Sequence, residues 1–333
     1  MKAAFSHRYG PASTISVEEA PVPVPGPGEV LVRVAAAGVT TADWRLRASA
    51  FPAWSWLPGR LMFGLRRPKQ PVRGTDFACE VVAAGPGAPR FAPGTEVFGV
   101  VPEGGAHAEY VRVPGTAPLA PRPTSLDPAE AAALPFGALN ALHFLREVAG
   151  VRAGQRVLIL GASGNVGGYA VQIAHLLGAH VTAVGGPDAQ ARLRALGADE
   201  EIDYTRTDPT AGPAAAYDVV LDTAGIATYA QAARVLKRDG LFVPLEFRAA
   251  DIARALTQRL RRGPRIALAI GAETQAGLDW VAARLAEGAL RPVIGARLPF
   301  AQVVEAHERV AGRHAGGPVV LEMDVAASTP AAA

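Results

Sequence analysis

The sequence predicts an α/β protein in which a doubly wound parallel sheet is inserted between two pieces of a β-rich domain. Three observations carry this. Residues 1–122 read as short strands punctuated by glycine and proline. From about residue 128, short apolar runs alternate with helical spacing, the rhythm of strand–helix–strand units. After Leu290 the chain returns to a proline-bounded segment and a last apolar run. The predicted boundaries are 1–122 and 292–333 for the β-rich domain and 123–291 for the inserted one.

In the first piece, Glu29–Ala35, Phe77–Ala83 and Thr95–Val101 are β-branched or alternating and bounded by turn residues, which predicts strands. Thr41–Ala48 and Ala129–Leu134 are the two segments there with helical character. In the inserted piece, Arg156–Leu160 predicts a buried strand and Gly161–Gly168 a glycine-rich turn. Apolar residues at Val166, Ala170, Ile173, Ala174 and Leu177 predict a helix that Gly178 ends. Strands follow at Val181–Val184, Asp218–Asp222, Leu241–Leu245 and Ile266–Ile270, with helices at Ala189–Leu196 and Ala230–Leu236. The last piece predicts a helix over Ala301–Val310, a strand over Val319–Met323 and a disordered tail over Ala326–Ala333.

Composition excludes several classes. The 333 residues are 50% hydrophobic, yet no apolar run approaches the ~20 residues of a membrane helix. Met1–Phe5 lacks the long apolar core of a secretory signal, so a cytoplasmic protein without integral membrane contact is expected. A net charge of +3 is small for this length. The basic residues of Arg60–Lys69 and Arg254–Arg265 do not make a strand-binding groove, so no nucleic-acid partner is expected. Cys79 is the only cysteine, which rules out an internal disulfide and a four-thiolate zinc lobe. Its apolar surroundings predict a buried thiol.

The chemistry concentrates at Gly161-Ala162-Ser163-Gly164-Asn165-Val166-Gly167. A buried strand here delivers the chain to a helix whose free N–H groups can face a pyrophosphate. Gly161 and Gly164 permit a tight turn and close approach, Gly167 lets helix and strand pack closely, and Ser163 adds a hydroxyl donor. Gly161, Ser163, Gly164, Asn165 and Val166 are therefore the expected contacts of a nicotinamide dinucleotide. At the end of the next strand an NAD site usually offers a carboxylate to the ribose. This chain has Gly185-Gly186-Pro187 instead, with Asp188 displaced into the next helix. That removes a repulsion on a 2′-phosphate and favours NADPH, with NADH as the alternative. Arg192, Tyr204 and Arg206 lie in segments that could line the pocket, though each is also an ordinary surface residue.

The sequence resembles the zinc-free, quinone-oxidoreductase-like branch of the medium-chain dehydrogenase/reductase superfamily. The likeness runs through Pro25-Gly26-Pro27-Gly28-Glu29-Val30, Ala36-Ala37-Gly38-Val39 and Arg73-Gly74-Thr75-Asp76-Phe77-Ala78. It continues through Gly94-Thr95-Glu96-Val97-Phe98-Gly99, Gly105-Ala106-His107-Ala108-Glu109-Tyr110-Val111, the glycine turn and Tyr217–Thr223. It implies a Rossmann domain inserted in a GroES-like catalytic domain, with Thr223 among the cofactor contacts. Zinc-containing relatives carry a cysteine after the Gly-Val pair and a His-Glu pair further on, where this chain has Thr40-Thr41 and Thr75-Asp76. No zinc is therefore expected.

The resemblance implies hydride transfer from a nicotinamide to a small hydrophobic acceptor, a quinone or an activated alkene or carbonyl. A trans-acting enoyl reductase or alcohol dehydrogenase of a biosynthetic pathway, and a non-catalytic NADPH-binding protein, are the alternatives. Thr41 and Asp43 match the loop that faces the nicotinamide in relatives, so they are the candidate catalytic residues; a helix-capping role for Asp43 stands beside that reading. Arg45 occupies the position of a tyrosine common in relatives. Asn140 matches a cofactor-touching threonine, or is a helix residue bonded to backbone. Arg313 matches an arginine that reaches the cofactor phosphate. Ala189 stands where some relatives have a lysine for the 2′-phosphate, which weakens the lean towards NADPH. His107 and His143 read as packing residues. Pairing of the Ile266–Ile270 edge strand across a two-fold axis predicts a homodimer. Phe51–Lys69, rich in aromatic and basic residues, reads as a helical hairpin on the domain, with a substrate lid or an interfacial patch as alternatives.

Overall fold

The computed structural model describes residues 1–324 apart from 89, 261, 314 and 315. The tail predicted over Ala326–Ala333 lies outside the described residues. The described residues form two compact units, the first drawn from 1–136, 274–286 and 292–324, the second from 137–273 and 287–291.

The first unit is built on a seven-stranded sheet. Its order is Ala296–Pro299, Val319–Glu322, Glu29–Val39, Asp76–Ala84, Glu96–Val100 and Leu119–Pro121, with Tyr110–Pro114 also paired to Glu29–Val39. Alternation puts Val32, Val34, Phe77, Val81, Val97 and Leu321 into one apolar core. Cys79 is buried in that core, and burial pushes its thiol well above the usual range. The predicted boundary at residue 122 moves to 136. The Pro128–Ala132 helix packs on the central strands, and Asp76 Oδ2 accepts the Phe136 N–H at 2.7 Å. Residues 274–286 also join this unit, because the Gln275 side chain bonds both the N–H and the carbonyl of Leu119 at 3.0 Å.

The predicted hairpin of helices over Phe51–Lys69 is instead one short 3₁₀ turn, Ala53–Ser55, and one helix, Trp56–Phe63. Gly64, at φ +122, ends it. In that backbone conformation a side chain is strained, and no second helix follows before the strand at Asp76.

The second unit is a six-stranded parallel sheet in the order Glu200–Asp203, His180–Gly185, Arg156–Leu160, Tyr217–Asp222, Leu236–Pro244 and Arg265–Ile266. Numbered along the chain this is 3-2-1-4-5-6, so the winding reverses beside Arg156–Leu160, where doubly wound sheets take their ligands. The edge strand is shorter than the predicted Ile266–Ile270. The Ala267 N–H still reaches the Phe242 carbonyl at 2.9 Å. Two residues on from Phe242 stands Pro244, which has no N–H with which to continue the ladder. Ile270 is left 84% exposed. Among the described residues no helix is long and apolar enough to cross a membrane.

A candidate dinucleotide site and a closed helix end

In the second unit, Val157–Leu160 is fully buried and runs into Gly161, whose φ is +75. A Cβ on Gly161 would stand 2.7 Å from Ala224 Cβ and 2.8 Å from Thr223 Oγ1, and one on Gly167 would collide with the Gly161 carbonyl. Only glycine fits either place. The turn is pinned from two sides. The Ala162 N–H reaches the Val184 carbonyl at 2.9 Å, and the Thr223 hydroxyl reaches the Leu160 and Gly161 carbonyls at 2.8 and 3.1 Å. Thr223, expected among the cofactor contacts, thus spends its hydroxyl proton on holding the turn.

The Asn165–Leu176 helix starts here. Gly164 is its cap and supplies no side-chain bond. The N–H groups of Asn165, Val166 and Gly167 have no acceptor among the described residues, which leaves three donors at the positive end of the helix dipole. Asn165 Oδ1 is buried without a donor. It fits only because Gly137, opposite, has no side chain. These donors and this acceptor suit the phosphates and hydroxyls of a dinucleotide.

Gly185 ends the second strand, with Ser163 Cβ 3.6 Å from where its own Cβ would be. Arg192 donates to the Ser163 carbonyl at 3.0 Å, and burial lowers its guanidinium pKa. Tyr204, 53% exposed, brings its phenol oxygen 3.5 Å from the Cβ position of Gly186. Arg192, Tyr204, Ser163, Gly185 and Gly186 therefore converge beside the turn. Arg206 turns instead to Asp203 at 3.7 Å. Gln190, which the sequence reading missed, donates to the Gly185 and Gly186 carbonyls at 3.1 and 2.9 Å and orients that loop. Its position four residues past Gly186 was the available signal. Beyond the fourth strand, buried Asp222 accepts the N–H groups of Ala224, Gly225 and Ala227 at 2.8–3.1 Å. Burial raises its carboxyl pKa against their pull.

Asn140 is buried and lies 3.4 Å from Glu273 Oε1. Gly271 is required beside it, since a Cβ there would collide with Asn140 Oδ1. Asn140 thus belongs to a second polar corner of the same unit, whose partner Glu273 the sequence reading did not find. His143 stacks edge-on against Phe144 at 5.4 Å.

Thr41, Asp43 and Arg313 lie in the first unit. Thr41 opens the Thr41–Ala48 helix behind the cap Thr40. Asp43 Oδ2 accepts the Thr40 N–H and hydroxyl, both at 2.8 Å, while Thr40 Oγ1 accepts the Asp43 N–H at 3.2 Å. Asp43 Oδ1 takes the Gly74 N–H at 2.9 Å. Asp43 is 1% exposed; both oxygens are committed to joining this helix to the Gly74 turn. Arg313 is exposed, at φ +58, and stacks over Trp44 at 5.7 Å.

Behind the cap lies a buried basic cluster that sequence reasoning missed. Arg47 bonds the Gly10 carbonyl at 2.6 Å and His307 Nδ1 at 3.4 Å. His107 bonds the Gly38 carbonyl at 3.0 Å and meets the His307 ring edge-on at 5.3 Å. Burial, aided by the neighbouring His107, Arg47 and Arg73, holds His307 well below its ordinary pKa.

The donor set where related enzymes hold zinc does not suit that ion. Thr40 is spent on the cap, and Asp76 takes the Phe136 N–H and the Thr75 hydroxyl. Cys79 is committed to the core. Among the described residues no three His, Cys, Asp or Glu side chains come together as a metal site.

A doubly wound parallel sheet interrupting a mostly antiparallel β unit is the architecture of the dehydrogenase/reductase class. Two family patterns match, an alcohol dehydrogenase GroES-like domain over residues 26–124 and a zinc-binding dehydrogenase domain over 196–321. The mouse (Mus musculus) mitochondrial NAD(P)H oxidoreductase RTN4IP1 is 32% identical over 324 residues, covering 89% of this chain and 82% of that protein. The spinach (Spinacia oleracea) chloroplastic quinone-oxidoreductase homolog is 30% identical over 321 residues, covering 91% and 92%. The quinone oxidoreductase structure from Coxiella burnetii superposes with a TM-score of 0.85 at 26% identity, covering 97% and 99%. The chain belongs to the medium-chain dehydrogenase/reductase superfamily of oxidoreductases.

Proposed function

We propose that this protein is an NADPH-dependent, zinc-independent reductase of a small hydrophobic acceptor, a quinone or an activated alkene or carbonyl. The observation that carries the reading is the open helix end at Asn165–Gly167, reached through a turn that only glycine can make. The names of the similar mouse, spinach and Coxiella proteins support the reaction class. The absence of a carboxylate at Gly185-Gly186, with Arg192 and Tyr204 beside it, favours a 2′-phosphate and hence NADPH. Bound NADPH would supply one hydride and the medium one proton, so that a quinone would gain two hydrogens as hydroquinone and an enone would leave saturated. The chain's own part is to bind and orient. The Asn165, Val166 and Gly167 N–H groups take the pyrophosphate, and Arg192 and Tyr204 take the adenosine end. Asp43 holds the Gly74 turn in place and positions rather than transfers a proton. The protein is read as a cytoplasmic homodimer joined near the short Arg265–Ile266 edge; a sedimentation mass equal to one chain would reject the dimer. The deciding measurement follows NADPH oxidation at the nicotinamide absorbance across quinones and enones, with and without a chelator. Turnover indifferent to chelation is expected. Tight NADPH binding with no turnover on any acceptor overturns the reading in favour of a non-catalytic binding protein.

A further inference from the structure

Residues 44–75 contain Arg45, Arg47, Arg60, Arg66, Arg67, Lys69 and Arg73 and not one aspartate or glutamate. The same stretch holds much of the exposed apolar surface of the protein: Trp54, Trp56, Leu57, Leu61, Met62 and Leu65 are each 44–64% exposed. These side chains are not a core turned the wrong way. The inner side of the segment is already satisfied, with Phe51 stacked on Phe63 at 5.9 Å and Gly59 closed over the Phe51 ring. Tyr9 anchors the segment, donating to the Phe63 and Gly64 carbonyls at 3.0 and 2.7 Å beneath the Arg60 guanidinium at 4.0 Å. Leu57, Leu61 and Leu65 recur every four residues and are all exposed, so a fixed apolar ridge faces water.

Cations flank the ridge. Arg66, Arg67 and Lys69 are exposed and none has a carboxylate partner among the described residues. With His7 and Gly64 they line an open depression of about 510 Å³. We propose that this segment docks the protein on an anionic lipid surface, with the leucine–methionine ridge and the two tryptophans in the headgroup boundary. Arg66, Arg67 and Lys69 would then lie against lipid phosphates. Charge decides the occupant. A second copy apposed by the same patch would bring Arg66, Arg67 and Lys69 against their like, with Glu18 already engaged by His7 at 3.0 Å, whereas a bilayer carrying acidic headgroups complements both the ridge and its cationic rim. The segment is too short to span and lies on the membrane rather than in it. The inference is independent of turnover, because docking requires neither cofactor nor acceptor.

The test is co-sedimentation of the full chain with vesicles of phosphatidylcholine alone and of phosphatidylcholine with phosphatidylserine, at low and raised salt, with tryptophan emission read in parallel. Binding is expected to the anionic vesicles only, weakened by salt and accompanied by a blue shift. The triple variant R66Q/R67Q/K69Q is expected to bind about a hundredfold more weakly. L61D/M62D is expected to lose the blue shift, and both should keep the wild-type melting point and NADPH affinity. No binding to anionic vesicles, or equal binding by the triple variant, overturns the proposal. So does a sedimentation mass that falls in either variant, since the patch would then join copies of this chain. Failure of either outcome leaves the reductase reading intact, and a protein that docks without turning over NADPH separates the two in the other direction.

Discussion

Two helices of this protein begin in opposite ways. The Thr41–Ala48 helix is closed, since Thr40 and Asp43 cap each other and Asp43 also takes the Gly74 N–H. The Asn165–Leu176 helix is open, with a glycine cap and three N–H groups that find no acceptor among the described residues. A side-chain cap spends a helix end on stability, while a glycine cap leaves it for a ligand. The contrast sorts the candidate residues better than their positions in the chain do: Asp43 is spent on structure, and the Gly161–Gly167 turn keeps its donors for the proposed cofactor.

The largest effect expected from breaking this contrast is at Gly167. Gly167→Val should weaken NADPH binding by at least about a hundredfold, because its side chain would strike the Gly161 carbonyl and lift the helix from the turn. Titration of nicotinamide fluorescence checks this, and wild-type affinity would remove the open end as the binding site. Asp43→Ala should act on the other side of the comparison. It strands buried donors of Thr40 and Gly74 and should cost about 2–4 kcal/mol in denaturant unfolding, with NADPH affinity unchanged. Unaltered stability with lost turnover would instead make Asp43 a proton relay.

These two sites also mark how far the sequence could be read. The Arg156–Leu160 strand was legible to the residue because a buried parallel strand, a glycine turn and a helix are local chemistry. Other features depended on partners far along the chain. The Ile266–Ile270 strand was cut short by Pro244 on its neighbour, and the Arg47–His307 contact joins residues 260 apart, which no local pattern announces. Asp43 could be read either as a cap or as catalytic until its distances to Thr40 and Gly74 were known. After Trp54 the apolar content favours a packed hairpin over the lid or interfacial patch that the sequence also offers, because it does not say which side is already covered.

A smaller effect separates the units by pH. His307 is buried and its folded pKa is depressed, so the unfolded chain takes up a proton first as pH falls. Stability is therefore fully present above about pH 6.5 and declines below it, by up to about 1.4 kcal/mol per pH unit. Thermal unfolding between neutral and mildly acid pH should show this slope. His307→Gln, which keeps an acceptor for Arg47, should flatten it, and an unchanged slope would assign the acid sensitivity elsewhere. The smallest expected change is in cofactor choice. Arg192→Gln should weaken NADPH by about tenfold while leaving NADH unaffected, measured as the ratio of the two dissociation constants. Equal losses would make Arg192 a support for the Ser163 carbonyl alone.

The lone thiol has a consequence for survival among the proposed substrates. Quinones and enones add thiolates as well as accepting hydride, so a protein that handles them is exposed to covalent self-inactivation. Cys79 is sealed in the core with its ionisation suppressed, and no other cysteine exists in the sequence. The folded protein thus presents no accessible thiolate to the electrophilic acceptors proposed for it.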